Sequence, residues 1–233
     1  MAKTDGMNKK ELARYIDYAI LKPEMTPEQV IEAAKEGIAK CCASVCVNPG
    51  FVKVLEPYVE GTETDICPVI DFPFGTSSTA SRLAQIGDVL SSRAVKEIDI
   101  VMKYGLLKGG HTDEVLEDLK TCVGLCHENG KELKVIIETD ALTKEEIVTA
   151  CRLCVEAGVD FVKTSTGFLT GHELFGAAPE TVDLILKTVE GRCKVKGSGA
   201  VRNRERFLEL INLGVDRLGV NYVSVAKILD KEE

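Results

Sequence analysis

The stretch Ile147–Gly167, IVTACRLCVEAGVDFVKTSTG, reads as one structural unit: a helix, a turn, a strand and a loop. Ile147, Cys151, Cys154 and Val155 recur at helical spacing, so one apolar face runs along its first half. Ala157-Gly158 punctuates the end of that helix. Asp160–Thr164 then reads as a buried strand, and the hydroxyl-rich residues up to Gly167 as the turn that leaves it. One residue does not fit. Lys163 stands inside an apolar, β-forming run, where an ammonium group is costly unless it is paired or neutralised. A surface lysine that snorkels to solvent is the plain reading of it.

The same unit recurs in both directions along the chain. Strand-like segments at Ser44–Val47, Asp65–Ile70, Ile98–Met102, Lys134–Glu138, Lys194–Gly197 and Arg217–Val220 alternate with helical patterns. Examples of the latter are Val182, Ile185, Leu186 and Val189, and further on Phe207, Leu210 and Ile211. Asn129-Gly130 and Leu213-Gly214 mark two more helix ends. An eighth strand is placed at Tyr15–Leu21, after a short opening helix at Lys9–Arg14, although that segment also suits a helix. Regular βα alternation implies parallel strands. Eight such units in 233 residues predict an α/β protein whose whole length, 1–233, is a single-domain (β/α)8 TIM barrel. An open doubly wound sheet is the alternative, weakened because no Gly-rich dinucleotide fingerprint follows an early strand.

Composition bounds the function. Apolar residues make up 45% and charged residues 28%, enough for a sizeable core, and the net charge of −8 argues against a broad nucleic-acid surface. A small cationic pocket for an anionic substrate remains compatible with it. No apolar run is long enough to span a membrane. The polar start Met1–Gly6 has no apolar signal region, and nine cysteines without one predict reduced thiols in a cytoplasmic protein. Cys151 and Cys154 form a C-x-x-C within a helix, without a second pair or a nearby histidine. They read as small core residues rather than zinc ligands. The three histidines, His111, His127 and His172, form no metal constellation.

In a barrel, chemistry sits at the C-terminal ends of the strands. Asp99 in EIDIV, Lys163 in FVKTSTG and Lys196 in KGSGAVR fall at or near such ends. Lys163 and Lys196 lie on consecutive strands, which are roughly 5 Å apart when paired. Like-charge repulsion and desolvation both lower a lysine pKa. A free lysine near pKa 10.4 is only ~0.04% neutral at pH 7, and a drop of roughly three units makes about a third of it neutral. A neutral amine in an enclosed site is a Schiff-base nucleophile, and a nearby carboxylate moves protons through water. The other reading of these three residues is a buried Lys–Asp–Lys network that only holds the barrel together.

At these residues the chain resembles the deoxyribose-phosphate aldolase family of class I aldolases, which join or split acetaldehyde and glyceraldehyde 3-phosphate. The matching stretches are ASVCVNP (Ala43–Pro49), EIDIV (Glu97–Val101), KVIIET (Lys134–Thr139), FVKTSTGF (Phe161–Phe168) and KGSGAVR (Lys196–Arg202). The resemblance covers nearly the whole chain. It implies a (β/α)8 barrel with Lys163 as Schiff-base lysine, Lys196 as the second lysine and Asp99 as the proton-relay carboxylate. It implies no metal and no cofactor, because the iminium is itself the electron sink. Substrate-binding positions are expected at Asp17, Lys103, Thr164, Gly199 and Asn221, with the Cys46 thiol near the site. Cys46 is either a small filler or a trap for an enal formed by aldol dehydration. The partner expected is a small aldehyde or sugar phosphate, with no nucleic acid and no membrane, in a homodimer or higher homo-oligomer.

The departures fall where substrate is recognised. The family's D-H-T-x-L is Asp17-Tyr18-Ala19-Ile20-Leu21 here, and its G-F-P is Asp71-Phe72-Pro73. Lys103 replaces a frequent Asn and shares strand parity with Asp99. His172–Phe175 looks inserted. Lys194 stands where a Gly is common, and is either exposed or paired with an acid such as Glu138. The family's S-G-G is Ser198-Gly199-Ala200, and its final Gly-x-Ser-Ser is Gly219-Val220-Asn221-Tyr222. If these changes dismantle the phosphate cradle, the preference for a phosphorylated sugar shrinks to about tenfold or less, since each lost charge-assisted hydrogen bond is worth roughly 1.5–3 kcal/mol. The resulting readings are a deoxyribose 5-phosphate aldolase, an aldolase for a non-phosphorylated or carboxylated acceptor, and a non-catalytic sugar-phosphate-binding barrel.

Overall fold

A computed structural model describes residues 2–230. After helix α1 (Lys9–Ala13), the strands are β1 (Ile16–Ile20), β2 (Ser44–Val47), β3 (Asp65–Ile70), β4 (Glu97–Val101), β5 (Glu132–Ile136), β6 (Phe161–Lys163), β7 (Lys194–Ser198) and β8 (Arg217–Asn221). The helices between and after them are α2 (Pro27–Ala39), α3 (Val52–Val59), α4 (Thr79–Leu90), α5 (Tyr104–Lys108), α6 (Thr112–Glu128), α7 (Lys144–Ala157), α8 (Pro179–Val189), α9 (Arg204–Leu213) and α10 (Tyr222–Leu229). Neighbouring strands are parallel and pair in sequence order, and β1 also pairs with β8. The sheet is therefore a closed (β/α)8 barrel, which removes the open-sheet alternative.

Alternation along each strand divides the side chains between two layers. Tyr18, Val45, Ile66, Ile98, Val135, Val162, Val195 and Leu218 belong to the main apolar core beneath the helices. The opposite parity fills the barrel. Leu21, Cys46, Cys67 and Val69 form a small apolar cluster there, on the β1–β3 side. Asp99, Lys134, Lys163, Lys196 and Arg217 share the inward parity around the β4–β8 side, where Asp99 pairs with Lys134, Lys163 with Lys196 and Lys196 with Arg217, while Lys134 pairs with Phe161, two residues before Lys163. Cys151 and Cys154 are buried on α7 in the outer apolar layer, as their spacing implied.

Strand edges differ from expectation where local geometry intervenes. The fifth strand is Glu132–Ile136 rather than Lys134–Glu138, because Glu138 takes a left-handed conformation, φ 59°, that no strand continues. The sixth is cut to Phe161–Lys163, and the Thr164 side chain adds a bond to the Ser198 backbone. The fourth, seventh, eighth and first strands and α1 move by one or two residues.

A buried arginine fixes the β3 and β4 ends. Asp71 adopts φ 50°, a backbone region that Asp tolerates better than most residues. Arg82 on α4, fully buried, donates to Asp71 Oδ2 (2.9 Å), Asp118 Oδ2 (2.6 Å) and the Val101 carbonyl (2.8 Å). Thus Asp71, which stands at the family's glycine, is tied to the barrel by a cation. Removing one partner of such a buried set costs about 3–5 kcal/mol. Arg82→Met is expected to lower the melting temperature by about 6 °C or more in a chain of this size. An unchanged melting curve would show that the arginine is not a structural tie.

Candidate active site

At the centre of the barrel one carboxylate oxygen serves two lysines. Asp99 Oδ2 accepts from Lys163 Nζ and from Lys196 Nζ, each at 2.7 Å. Lys196 also contacts Asp17 Oδ2 at 2.5 Å. The other Asp99 oxygen lies 3.2 Å from Lys134 Nζ and accepts from the Cys67 thiol at 3.1 Å. Lys134 bridges to Glu97 at 2.5 Å, and Arg217 reaches both Asp17 (2.6 Å) and Glu97 (2.9 Å). Ser44 donates to Asp17 as well. Gly219 keeps room for the Lys196 stem: a Cβ there would stand 2.8 Å from Ser198 Cβ and 3.4 Å from Lys196 Cε.

These contacts decide the charge states. Burial opposes ionisation of Asp99, but Lys163, Lys196 and Lys134 overcome it and hold its carboxyl well below the usual carboxylate range. Burial likewise opposes the charge of Asp17, and Arg217, Lys134 and Lys196 outweigh it. Lys196 is desolvated, yet Asp17 and Asp99 raise its affinity for a proton. The expected like-charge penalty on that lysine is therefore more than offset by two carboxylates. Lys134 is raised for the same reason, against its own burial.

The cluster holds the carboxylates Asp17, Glu97 and Asp99 against the cations Lys134, Lys163, Lys196 and Arg217. One surplus positive charge remains. Lys134 has carboxylates on three sides, Lys196 has two, and an arginine does not deprotonate in a protein. Lys163 has a single carboxylate contact, shared with Lys196, and it lines the cavity. It is the amine of the cluster with the fewest carboxylate contacts at the cavity.

That cavity, about 320 Å³, opens at the C-terminal ends of the strands. Asp17, Cys46, Gly199 and Asn221 line it as the sequence suggested, together with Lys163 and Lys196. Asp17, however, is committed to the two neighbouring cations, and the Asn221 side chain caps α10 by accepting from Val223 N at 3.2 Å. Thr164 is not a cavity residue. It is fully buried, donating to the Ser198 carbonyl and accepting from the Ser198 N–H, which clamps β6 to β7. Lys103 is also misplaced by strand parity. Helix α5 begins immediately after it, and its ammonium turns outward to Asp118 (2.7 Å) and Thr79 (2.8 Å). Lys194 pairs with Glu132 at 2.7 Å in an exposed bridge, not with Glu138. Glu138 instead accepts from the backbone and hydroxyl of Thr166, holding the loop after Lys163.

Sequence reasoning missed Lys134, Glu97 and Arg217. Inward parity with Asp99, Lys163 and Lys196 would have found all of them. It also missed two exposed cations at the cavity rim, Lys22 after β1 and Arg202 after β7. Among the described residues neither is in an ion pair. Ala200 and Tyr222 leave more of the rim intact than their size suggests. Ala200 takes φ 57°, so the left-handed turn survives its methyl group, and Tyr222 sets its ring 6.5 Å from that of Tyr18.

Comparison with known proteins agrees with this geometry. The model of the DeoC/LacD family aldolases matches residues 10–220. The chain is 40% identical over 227 residues to a deoxyribose-phosphate aldolase of Clostridium kluyveri, covering 97% of this chain and 100% of that protein. It is 42% identical over 217 residues to one of Thermococcus kodakarensis, covering 92% and 95%. Among solved structures it is similar to the deoxyribose phosphate aldolase of Aeropyrum pernix, described as a tetramer, with TM-score 0.87 at 26% identity over 97% of this chain and 93% of that one. A second aldolase, QR15, aligns with TM-score 0.86 at 34% identity, covering 94% and 95%. A closed barrel with a shared-carboxylate lysine pair, matched along nearly its whole length by these relatives, belongs to the DeoC/LacD family of aldolases.

Proposed function

We propose that this aldolase cleaves 2-deoxy-D-ribose 5-phosphate reversibly to acetaldehyde and D-glyceraldehyde 3-phosphate through a Schiff base on Lys163. The observation that carries the reading is the Lys163 amine at the cavity floor, bound to a carboxylate oxygen that it shares with Lys196. Lys163 adds to the C1 aldehyde of the open-chain sugar, and the carbinolamine loses water to give an iminium. The C2–C3 bond breaks as the C3 hydroxyl loses its proton, and the electron pair passes into the iminium to form an enamine. Protonation at C2 and hydrolysis release acetaldehyde and the free amine. Asp99 and Lys196 move the protons through water.

The names of the relatives support a sugar phosphate, and the cavity rim adds a physical reason. Phosphates in such barrels settle at the loops after the seventh and eighth strands. Here that rim presents the Gly199–Ala200 turn, the N-terminus of α10, and the exposed cations Lys22 and Arg202. They supply charge that the altered glycine and serine positions do not. A second reading, a non-phosphorylated acceptor, draws on Ala200 and Asn221 at those positions. Nine unpaired cysteines, most of them buried, suit a reducing cytoplasm, and no helix among the described residues is long and apolar enough to cross a membrane. The oligomeric state is taken to be that of a homo-oligomer, by analogy with the Aeropyrum pernix protein.

Measured kcat/KM for deoxyribose 5-phosphate is expected to exceed that for deoxyribose by about a hundredfold or more, two charge-assisted bonds contributing roughly 1.5–3 kcal/mol each. A preference of about tenfold or less would favour the second reading. No acetaldehyde from either sugar would leave the non-catalytic barrel. Lys22→Met and Arg202→Met should each cost about tenfold or more on the phosphorylated sugar and leave the other unchanged.

Lys196→Met tests the second lysine. It is expected to lower kcat by roughly 10²–10⁴-fold, the usual contribution of a positioned proton-transfer group. The residual activity should also show a pH profile different from wild type, because a buried charged group has been removed from beside the cavity. A variant with the wild-type rate and pH profile would remove Lys196 from the mechanism.

A further inference from the structure

We propose that Cys46 and Cys67 form a reversible oxidation site inside the barrel, where a hydroperoxide joins their sulfurs as a disulfide and turns the lysine centre off. The regulatory half of this rests on the aldolase reading above; the cross-link does not. Cys46 on β2 and Cys67 on β3 are direct register partners that both face inward. Their sulfurs and an Asp99 oxygen all lie within 4.8 Å of one another. Paired strands are roughly 4.8 Å apart, within the roughly 4.4–6.8 Å between Cα atoms that a disulfide spans.

The two thiols have different surroundings. Cys46 lines the catalytic cavity, so a small peroxide reaches it by the route the substrate takes. Its contact with the neighbouring Cys67 sulfur draws its thiol down, and Lys196 and Lys163 act in the same direction, against burial and Asp99. Cys67 is fully enclosed, and burial pushes its thiol well up. Cys46 is thus the attacking sulfur and Cys67 the resolving one. The Cys46 thiolate attacks one peroxide oxygen: an S–O bond forms, the O–O bond breaks, and the alkoxide or hydroxide leaves with the proton that Cys46 released. Cys67 then attacks the sulfenic sulfur. The S–S bond forms, the S–O bond breaks, and hydroxide departs as water with the Cys67 proton. Two thiols are oxidised by two electrons and one hydroperoxide is reduced.

The link to activity is direct. Cys67 donates to Asp99 Oδ1 at 3.1 Å and accepts from Lys134 at 3.2 Å. A disulfide removes that donor from the carboxylate that holds both Lys163 and Lys196. The other cysteines have no such placement. Cys122 and Cys126 on α6, and Cys151 and Cys154 on α7, are buried in the outer apolar layer.

The test is to treat the full-length protein with hydrogen peroxide, alkylate remaining thiols and map peptides without reduction. The expected result is a Cys46–Cys67 linked peptide. Deoxyribose 5-phosphate cleavage falls at least tenfold in step with it, and dithiothreitol reverses both. Cys46→Ser and Cys67→Ala should each keep most of their own starting activity through the same treatment. No linked peptide, a linked peptide with full activity, or a loss that follows another cysteine or a sulfinic acid at Cys46 would overturn the proposal. A protein inactive before oxidation would overturn the aldolase reading, and the peptide map would still judge the cross-link.

Discussion

The structure depends on a carboxylate, Asp99, buried among three lysines at the middle of a closed barrel. A lone charge there would be prohibitive. Burial is tolerated because every neighbour that raises the cost of one charge lowers the cost of another. Asp17 and Glu97 extend the arrangement to Lys134 and Arg217, so the set behaves as one object rather than as separate pairs. Breaking up such a set is expensive, while its net contribution to stability is small. Its use is positional: it fixes two cavity-lining ammonium groups on one oxygen and gives only one of them a second carboxylate.

That asymmetry underlies the proposed nucleophile. Lys163 and Lys196 are the same residue type on adjacent strands in direct register. They differ in counter-charge and access. Both line the cavity, but Lys196 is fully buried between Asp17 and Asp99 and stays protonated, whereas Lys163 has only the shared oxygen and keeps slight exposure. The apolar β1–β3 side of the interior, with Cys46, Cys67 and Val69, gives the charged β4–β8 side a low-dielectric wall to act against. Gly219 contributes by absence, since a side chain there would press on Ser198 and the Lys196 stem.

The barrel was legible in the sequence because its period is local: an apolar helix face, a glycine stop and a β-run, repeated from Ser44 to Val220. Lys163, Lys196 and Asp99 were legible for a related reason, as charges in strands otherwise built for burial. What escaped was anything set by backbone departures from ideal strands. Parity carried past the end of β4 placed Lys103 in the cavity, whereas the chain has already turned into α5 and sends that lysine to Asp118. Thr164 looked like a substrate ligand and is a clamp on Ser198. Lys22 and Arg202 carry no local pattern at all; only the folded rim brings the loops after β1 and β7 together.

The most direct measurement is borohydride reduction in the presence of acetaldehyde, followed by peptide mass spectrometry of the intact enzyme's lysines. If the shared carboxylate leaves Lys163 as the one nucleophilic amine, a single ethyl group appears on Lys163, with Lys134 and Lys196 unmodified. An ethyl group on Lys134 or Lys196, or no adduct on any barrel lysine, would contradict it.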